Sequence, residues 1–333
     1  MNPGTMVPGT EFMRAWQQRA RVRALSPSEA YTLAVAADRI REPQAEVGYR
    51  LYWMGDSVMG STDVAAQPSG YVVVGRHGSC DVVIEADERV ISLRHVIVRA
   101  ASLDDGFPVI SVLDLQTTAG FELSDGSRQR SVAATGPVVF RIGTYSFVAL
   151  PSTGRYPAEL PVPFVERGEL APHRIAPKPI LNVVPVVPER RGPPPSRITV
   201  LPYSVVMSER RSVVPVLSHE PHVPTGEGYE VVLETASTRA GVVFSKADLD
   251  HGVLIGRADK CVDEGLRPVL GGTISRVHVL LIREKGACHL YDVASLVGTY
   301  ARGRRVRCIE LCDVGSVVEL ASSAGVTLHW RAL

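Results

Sequence analysis

Gly256-Arg257-Ala258-Asp259-Lys260-Cys261-Val262-Asp263, then Ile274-Ser275-Arg276-Val277-His278, then Tyr291-Asp292-Val293-Ala294-Ser295-Leu296-Val297-Gly298-Thr299, follow one another in the last quarter of the chain. A counterpart lies upstream as Gly75-Arg76-His77-Gly78-Ser79-Cys80-Asp81 and Ile91-Ser92-Leu93-Arg94-His95. In both places a Gly-Arg pair precedes Ser-x-x-His, and Ser92 and Ser275 stand about 183 positions apart. Two distant copies of one ordered pattern mark an internal repeat of domain size.

The surroundings of both copies read as strands. From 48 to 150, short apolar runs at 49–53, 71–74, 82–84, 95–98, 109–113, 138–142 and 145–150 are separated by Gly, Asp and Ser clusters. From 227 to 333 the runs are 229–233, 252–255, 278–282, 289–293, 317–320 and 326–330. Many short strands with regular turn signals predict a sandwich or barrel, and about 100 residues suffice for one such core. Between them, 151–226 holds 16 of the 24 prolines, with Gly192-Pro193-Pro194-Pro195 at its centre. Proline removes a ladder donor and stiffens the backbone, so this segment predicts a semi-extended linker. One apolar stretch within it, 198–206, is a candidate strand able to pair with either neighbour.

Residues 14–42 read as helical. Ser26-Pro27-Ser28-Glu29 is a capping box with proline at the first helical position. Leu33, Ala36, Ala37 and Ile40 share a face at helical spacing, and Pro43 ends the segment. The helix is either an accessory packed on the next domain or a separate partner-binding element. Residues 1–13, with three methionines and two Pro-Gly-Thr triplets, are set aside from the fold. The expected organisation is therefore all-β: a disordered start plus helix over 1–47, sandwiches over 48–150 and 227–333, and a linker over 151–226.

Bulk composition narrows the function. The chain of 333 residues has a net charge of +1, from 36 basic and 35 acidic side chains. That balance argues against a nucleic-acid partner, which calls for a basic excess. No run of about 18 apolar residues and no signal-type start occurs, so neither a membrane partner nor export is expected. Five cysteines, sparse and odd in number, fit a reducing cytoplasm with thiols acting as small core hydrophobes.

The Gly-Arg and Ser-x-x-His pattern resembles the forkhead-associated (FHA) domain, a β-sandwich that reads phosphothreonine. The resemblance covers about 48–150 and 229–330. It implies that Arg257, Ser275 and Arg276 contact the phosphate, that Gly298 and Thr299 belong to the turn that meets the peptide, and that His278 braces the loop beside Gly256. In the first copy it implies the same roles for Arg76 and Ser92, with His95 and Gly75 structural. The chemistry suits the ligand. A phosphothreonine carries roughly −1.5 to −2 charges at pH 7. An arginine fork and a serine hydroxyl on loops at one end of a rigid scaffold supply directed donors. This chain departs from the family where an asparagine would hold the peptide backbone: Val297 stands there in the second copy. The first copy reads Thr118-Ala119-Gly120-Phe121 and has Leu93 in place of the extra cation. The first copy is therefore the degenerate one.

Three other readings are open to the same residues. A serine and a histidine three apart suggest a nucleophile and base, but no orienting carboxylate or oxyanion motif accompanies them. Cys288, His289, Cys308 and Cys312 invite a metal, yet neighbours on a strand point to opposite faces, so no metal or other cofactor is expected. Arg302, Arg304, Arg305 and Arg307 read as a charged hairpin edge or as a second anion-facing patch. The expected function is a non-enzymatic phosphothreonine-dependent adaptor whose partners are substrates of a Ser/Thr protein kinase. The rival is a scaffold whose degenerate folds bind unphosphorylated partners.

Overall fold

Ser26 opens helix α1 (Pro27–Arg39) by accepting the Glu29 N–H on its hydroxyl at 3.3 Å, while the Glu29 carboxylate accepts the Ser26 N–H at 2.9 Å. Residues 24–26 are not helical, so α1 begins at Pro27, and the expected helical stretch 14–23 lies outside the described residues. Of the expected face, Leu33 and Ala37 pack at the edge of the core. Ala30, Tyr31, Ala34 and Val35 face inward, and Ile40 is 65% exposed. Small Ala30 and Ala34 allow close approach to Tyr52, Met54, Val148 and Leu150, and the Tyr31 hydroxyl donates to the Pro157 carbonyl at 2.6 Å. Asp38 then gathers Arg50, Tyr52 and Tyr156.

The computed structural model describes residues 24–41, 46–55, 58–67, 70–84, 90–102, 107–154, 156–157, 159–160, 165–167, 198–200, 228–258, 261, 266–321 and 325–333. The expected disordered start and most of the proline-rich segment lie outside them. No described helix is long and apolar enough to cross a membrane.

After α1 come β1 (Gly48–Met54), β2 (Met59–Ala65), β3 (Tyr71–Gly75), β4 (Val82–Val83), β5 (Val96–Ser102), β6 (Pro108–Asp114), β7 (Phe121–Leu123), β8 (Arg128–Gln129), β9 (Ser131–Ala134), β10 (Val138–Ile142) and β11 (Tyr145–Pro151). Two short strands follow, β12 (Val165–Arg167) and β13 (Ile198–Val200). The second half contributes β14 (Tyr229–Glu234), β15 (Arg239–Phe244), α2 (Lys246–His251), β16 (Val253–Ile255), β17 (Val279–Glu284), β18 (Ala287–Asp292), β19 (Thr299–Ala301), β20 (Arg304–Val306), β21 (Cys308–Leu311), β22 (Ser316–Leu320) and β23 (Val326–Ala332).

These strands form four sheets, and the order repeats. One sheet runs β2-β1-β11-β10-β7-β8, and its counterpart runs β15-β14-β23-β22-β19-β20. The facing sheets contain β9-β6-β5-β3 and β21-β18-β17-β16, the former extended by β4 at one edge and by β13 and β12 at the other. The chain is thus mostly β, with two helices among the described residues. Within the first half, Leu51, Val98, Ile110, Phe140 and Phe147 fill a core between sheets, the last two rings stacking at 4.9 Å.

Tyr71-Val72-Val73-Val74 and Val96-Ile97-Val98 are apolar without alternation, the pattern of strands covered on both faces. Val72, Val74, Val96 and Val98 point into the first core. Tyr71, Val73 and Ile97 belong instead to the cluster that holds the second half's core. Two sheets therefore pack face to face across a seam between the halves. The Tyr71 ring meets Tyr291 edge-on at 5.3 Å, and its hydroxyl reaches the Asp292 and Arg307 carbonyls at 2.6 and 2.7 Å. Arg307 returns across the seam to Asp81 at 2.8 Å and lies over the Tyr71 ring. Arg99, only 4% exposed, stacks on Tyr291 and pairs with Glu284, whose other oxygen accepts the Tyr291 hydroxyl at 3.1 Å.

Removing one partner of a buried ion pair strands the other charge. Glu284→Ala should therefore destabilise the full chain by about 3 kcal/mol, the lower end for such a loss. Urea unfolding of the variant checks this. A midpoint equal to wild type would show that Arg99 finds other compensation.

Candidate functional site

Gly75 and Gly256 explain the Gly-Arg pairs. A Cβ on Gly256 would lie 2.3 Å from the Arg276 carbonyl oxygen, and one on Gly75 would lie 2.4 Å from that of Leu93. Only glycine lets the strand end run this close to the Ser-x-x-His segment. The backbone then zips the two together. Arg257 N–H donates to the Ser275 carbonyl at 3.1 Å and Ala258 N–H to that of Arg276 at 3.0 Å; Arg76 to Ser92 (3.2 Å) and His77 to Leu93 (3.0 Å) repeat this in the first half. Each arginine is thereby seated beside its serine.

The buried histidines tie this segment to a second loop. His278 Nδ1 accepts the Ser275 N–H at 3.2 Å, so the proton sits on Nε2 and is donated to the Gly298 carbonyl at 3.3 Å. His95 does the same between Ser92 N–H (3.1 Å) and Gly120 O (2.8 Å). Both ring nitrogens of each imidazole thus bond to backbone groups.

The loop that the histidine braces rests on a buried carboxylate. Asp292 accepts the Ser295 N–H (2.7 Å), the Ser295 hydroxyl (2.6 Å) and the Thr299 hydroxyl (2.7 Å), and Gly298 N–H donates to Ser295 Oγ at 3.0 Å. Asp114 and Thr117 build the same turn in the first half, with Gly120 N–H on Thr117 Oγ1 at 2.9 Å. Gly298 and Gly120 hold φ of +85° and +65°, which the turn requires. Thr299, grouped by resemblance with the ligand-facing residues, is fully buried with its hydroxyl committed to Asp292. The sequence carried the signal for this turn as Asp-x-x-(Ser/Thr)-x-x-Gly in both halves, though it was not singled out.

Ser275 is buried, with 8% of the residue exposed. Its hydroxyl oxygen accepts the Leu296 N–H at 3.0 Å, leaving its own proton to donate elsewhere. Arg257 and Arg276 are exposed and carry no ion pair among the described residues. Arg305, read from sequence only as part of a basic run, lies across Gly298, where an added Cβ would meet its Nε at 2.7 Å. Val297, at the family's asparagine position, is half-buried.

The first half differs. Arg76 is exposed and Ser92 partly so, but Arg130 pins its loop, donating to Asp114 at 2.5 Å and to the Thr118 carbonyl at 3.3 Å. Arg94 is buried and points to the second half. Burial, with Arg94 and Arg276 nearby, holds the His77 imidazole below its ordinary range. Among the described residues no group of three or more His, Cys, Asp or Glu is placed to hold a metal.

No family model matches the chain, and no curated protein matches it. Solved structures do. The chain is similar to the FHA-1 structure of Mycobacterium tuberculosis Rv1747, at 24% identity and a TM-score of 0.25, covering 32% of this chain and 97% of that one. It is similar to the FHA domain of the CT664 protein of Chlamydia trachomatis, at 16% identity and a TM-score of 0.26, covering 31% and 96%. It also resembles the yeast Dun1 FHA domain in complex with a doubly phosphorylated peptide, at 15% identity and a TM-score of 0.27, covering 43% and 96%. Scores of this size carry no argument by themselves, and the fold is defined by the strand order above.

Burial pushes the His278 imidazole below its ordinary value of 6.5, against the pull of Asp292, and burial likewise lowers His289. The unfolded chain binds protons near pH 6.5 that these folded rings refuse, so stability is full above that pH and falls as pH drops below it. His278→Ala should flatten this fall. It should also cost about 1–3 kcal/mol near pH 7.5, because the Ser275 N–H and Gly298 carbonyl lose their partner. Urea unfolding across pH about 5 to 7.5 tests both, and an unchanged pH slope would remove His278 from the account.

Proposed function

We propose that the chain is a phosphothreonine-dependent protein-binding adaptor in Ser/Thr kinase signalling, with two FHA-like modules at 48–150 and 227–333 joined by the proline-rich segment 151–226. The phosphate is held by Arg257, Ser275 and Arg276 of the second module. The observation that carries this reading is that Arg257, bonded through its backbone N–H to the Ser275 carbonyl, and Arg276, next to Ser275 in sequence, are both exposed, while the Ser275 hydroxyl oxygen accepts the Leu296 N–H and keeps its own proton to donate. Neither guanidinium carries an ion pair among the described residues, and a dianionic phosphate supplies the opposite charge with acceptors for an arginine fork. Gly298 shapes the turn, and Arg305 beside it takes the peptide flank that Val297 cannot hold.

The repeated strand order and the matching hydrogen bonds around His95 and His278 support two copies of one module. Arg76 and Ser92 are the equivalent ligand-facing pair in the first. With Arg94 buried and Arg130 spent on Asp114, that module has less to offer a phosphate. The same facts favour a scaffold role for the first module, packing and protein contact without phosphate, alongside the second module's reading. The histidines serve as braces, and no catalytic step is assigned to either.

Partners are then phosphothreonine-bearing proteins, found by passing the full chain over a phosphothreonine peptide library. Arg257→Ala should weaken the best library peptide by about 1.5–3 kcal/mol, roughly ten- to a hundredfold, with little change in melting, since an exposed arginine buries little. Calorimetric titration at fixed salt measures it. An unchanged affinity in the variant, or equal binding of the unphosphorylated peptide by the wild type, sinks the assignment.

A further inference from the structure

Arg94 occupies the position in the first Ser-x-x-His that Val277 occupies in the second. Its side chain is buried, with 7% of the residue exposed, and turns away from its own serine into the seam. There its Nε donates to the Ala294 carbonyl at 2.9 Å, and its Nη2 donates to the same oxygen. Ser79 adds a third donor: its hydroxyl reaches that oxygen at 2.7 Å. His77 Nδ1 donates its proton to the Ser79 hydroxyl oxygen at 2.7 Å, which leaves the hydroxyl's own proton for Ala294, and Arg94 Nη2 lies 3.4 Å from the same oxygen. One carbonyl oxygen of the second half thus receives three donors from the first.

Ala294 belongs to the loop that builds the second site. It sits between Asp292 and Ser295, whose side chains form the buried turn. Leu296, two residues on, donates its N–H to the Ser275 hydroxyl, and Gly298 accepts from His278. A carbonyl clamped by a charged fork fixes the peptide plane that leads into Ser295 and Leu296, and charge-assisted hydrogen bonds are the strong ones. The first half's arginine has become a component of the second half's loop.

We propose that Arg94 and Ser79 are positioning residues for the second site: by clamping Ala294 across the seam they hold the 292–299 loop so that Leu296 fixes the Ser275 hydroxyl toward its ligand. This rests on the phosphothreonine reading for the identity of the ligand, but not for the clamp. It makes the first half a working part of the second site rather than a separate module on a tether. Burying Arg94 in the seam also removes a cation from the first half's own serine, which accounts for that half's weaker anion chemistry.

The test uses the full-length chain with N-acetyl-phosphothreonine amide as probe. Amide hydrogen exchange at Leu296 is followed by NMR alongside probe affinity. Arg94→Ala and Ser79→Ala should each speed Leu296 exchange and weaken the probe, about tenfold for Arg94→Ala, while amides in β14 and β23 keep their protection. Arg94→Lys, which keeps the charge and one donor, should recover part of both. If Arg94→Ala fails to fold, Ser79→Ala carries the test, since it removes a bond without stranding a charge. Leu296 exchange unchanged in the variants overturns the proposal, whether or not affinity falls. A wild-type chain that does not bind the probe would defeat the phosphothreonine reading, and Leu296 exchange would still decide the clamp.

Discussion

Tyr71, Arg94 and Arg99 begin on strands or loops of the first half and end against groups of the second. A buried guanidinium is tolerable only where donors find acceptors, and here the acceptors lie across the seam: Glu284 for Arg99 and the Ala294 carbonyl for Arg94. The Tyr71 hydroxyl adds the Asp292 and Arg307 carbonyls. Separating the halves would leave these polar groups without their acceptors and would uncover the outer face of β3 and β5, where Val73 and Ile97 sit. The seam is therefore a structural requirement of the first half, and the second half inherits from it a fixed loop beside Ser275.

Within each half the site follows from a few backbone bonds. Glycine at 75 and 256 allows strand and Ser-x-x-His segment to touch, the next amides zip them, and a neutral histidine spans to a turn built on a buried aspartate. The scheme is the same twice; the side chains laid on it are not. In the second half Arg257 and Arg276 are exposed, and the Ser275 hydroxyl oxygen accepts the Leu296 N–H. In the first, Arg130 is spent on Asp114, and Arg94 on the neighbouring half. One scaffold thus carries different side chains in its two copies.

Much of this was legible in the sequence because it is local. The strands at 49–53, 145–150 and 229–233 announce themselves by apolar runs between turn residues, and the capping box at Ser26 locates the helix start. Strand β2 escaped notice because Gly60, Ser61, Thr62 and Asp63 look like a loop; it forms because β1 offers it an edge. Periodicity finds Leu33 and Ala37, at the edge of the packed face of α1, but cannot tell that Ala30, Tyr31, Ala34 and Val35 lie at its centre against Tyr52 and Val148. The burial of Thr299 leaves no local sign, because the carboxylate that takes its hydroxyl is seven residues away. The seam left a trace in the unbroken apolar runs at 71–74 and 96–98, but its partners are some 200 residues distant, and Arg94 reads as an ordinary loop cation until Ala294 is beside it.

The central claim is that the two halves form one cooperative unit, with the second site dependent on the first half's side chains. Differential scanning calorimetry of the full chain tests this most directly. The account predicts a single transition whose calorimetric and van't Hoff enthalpies agree. Two resolved transitions, with one half melting while the other keeps its native tryptophan signal from Trp53 or Trp330, would contradict it.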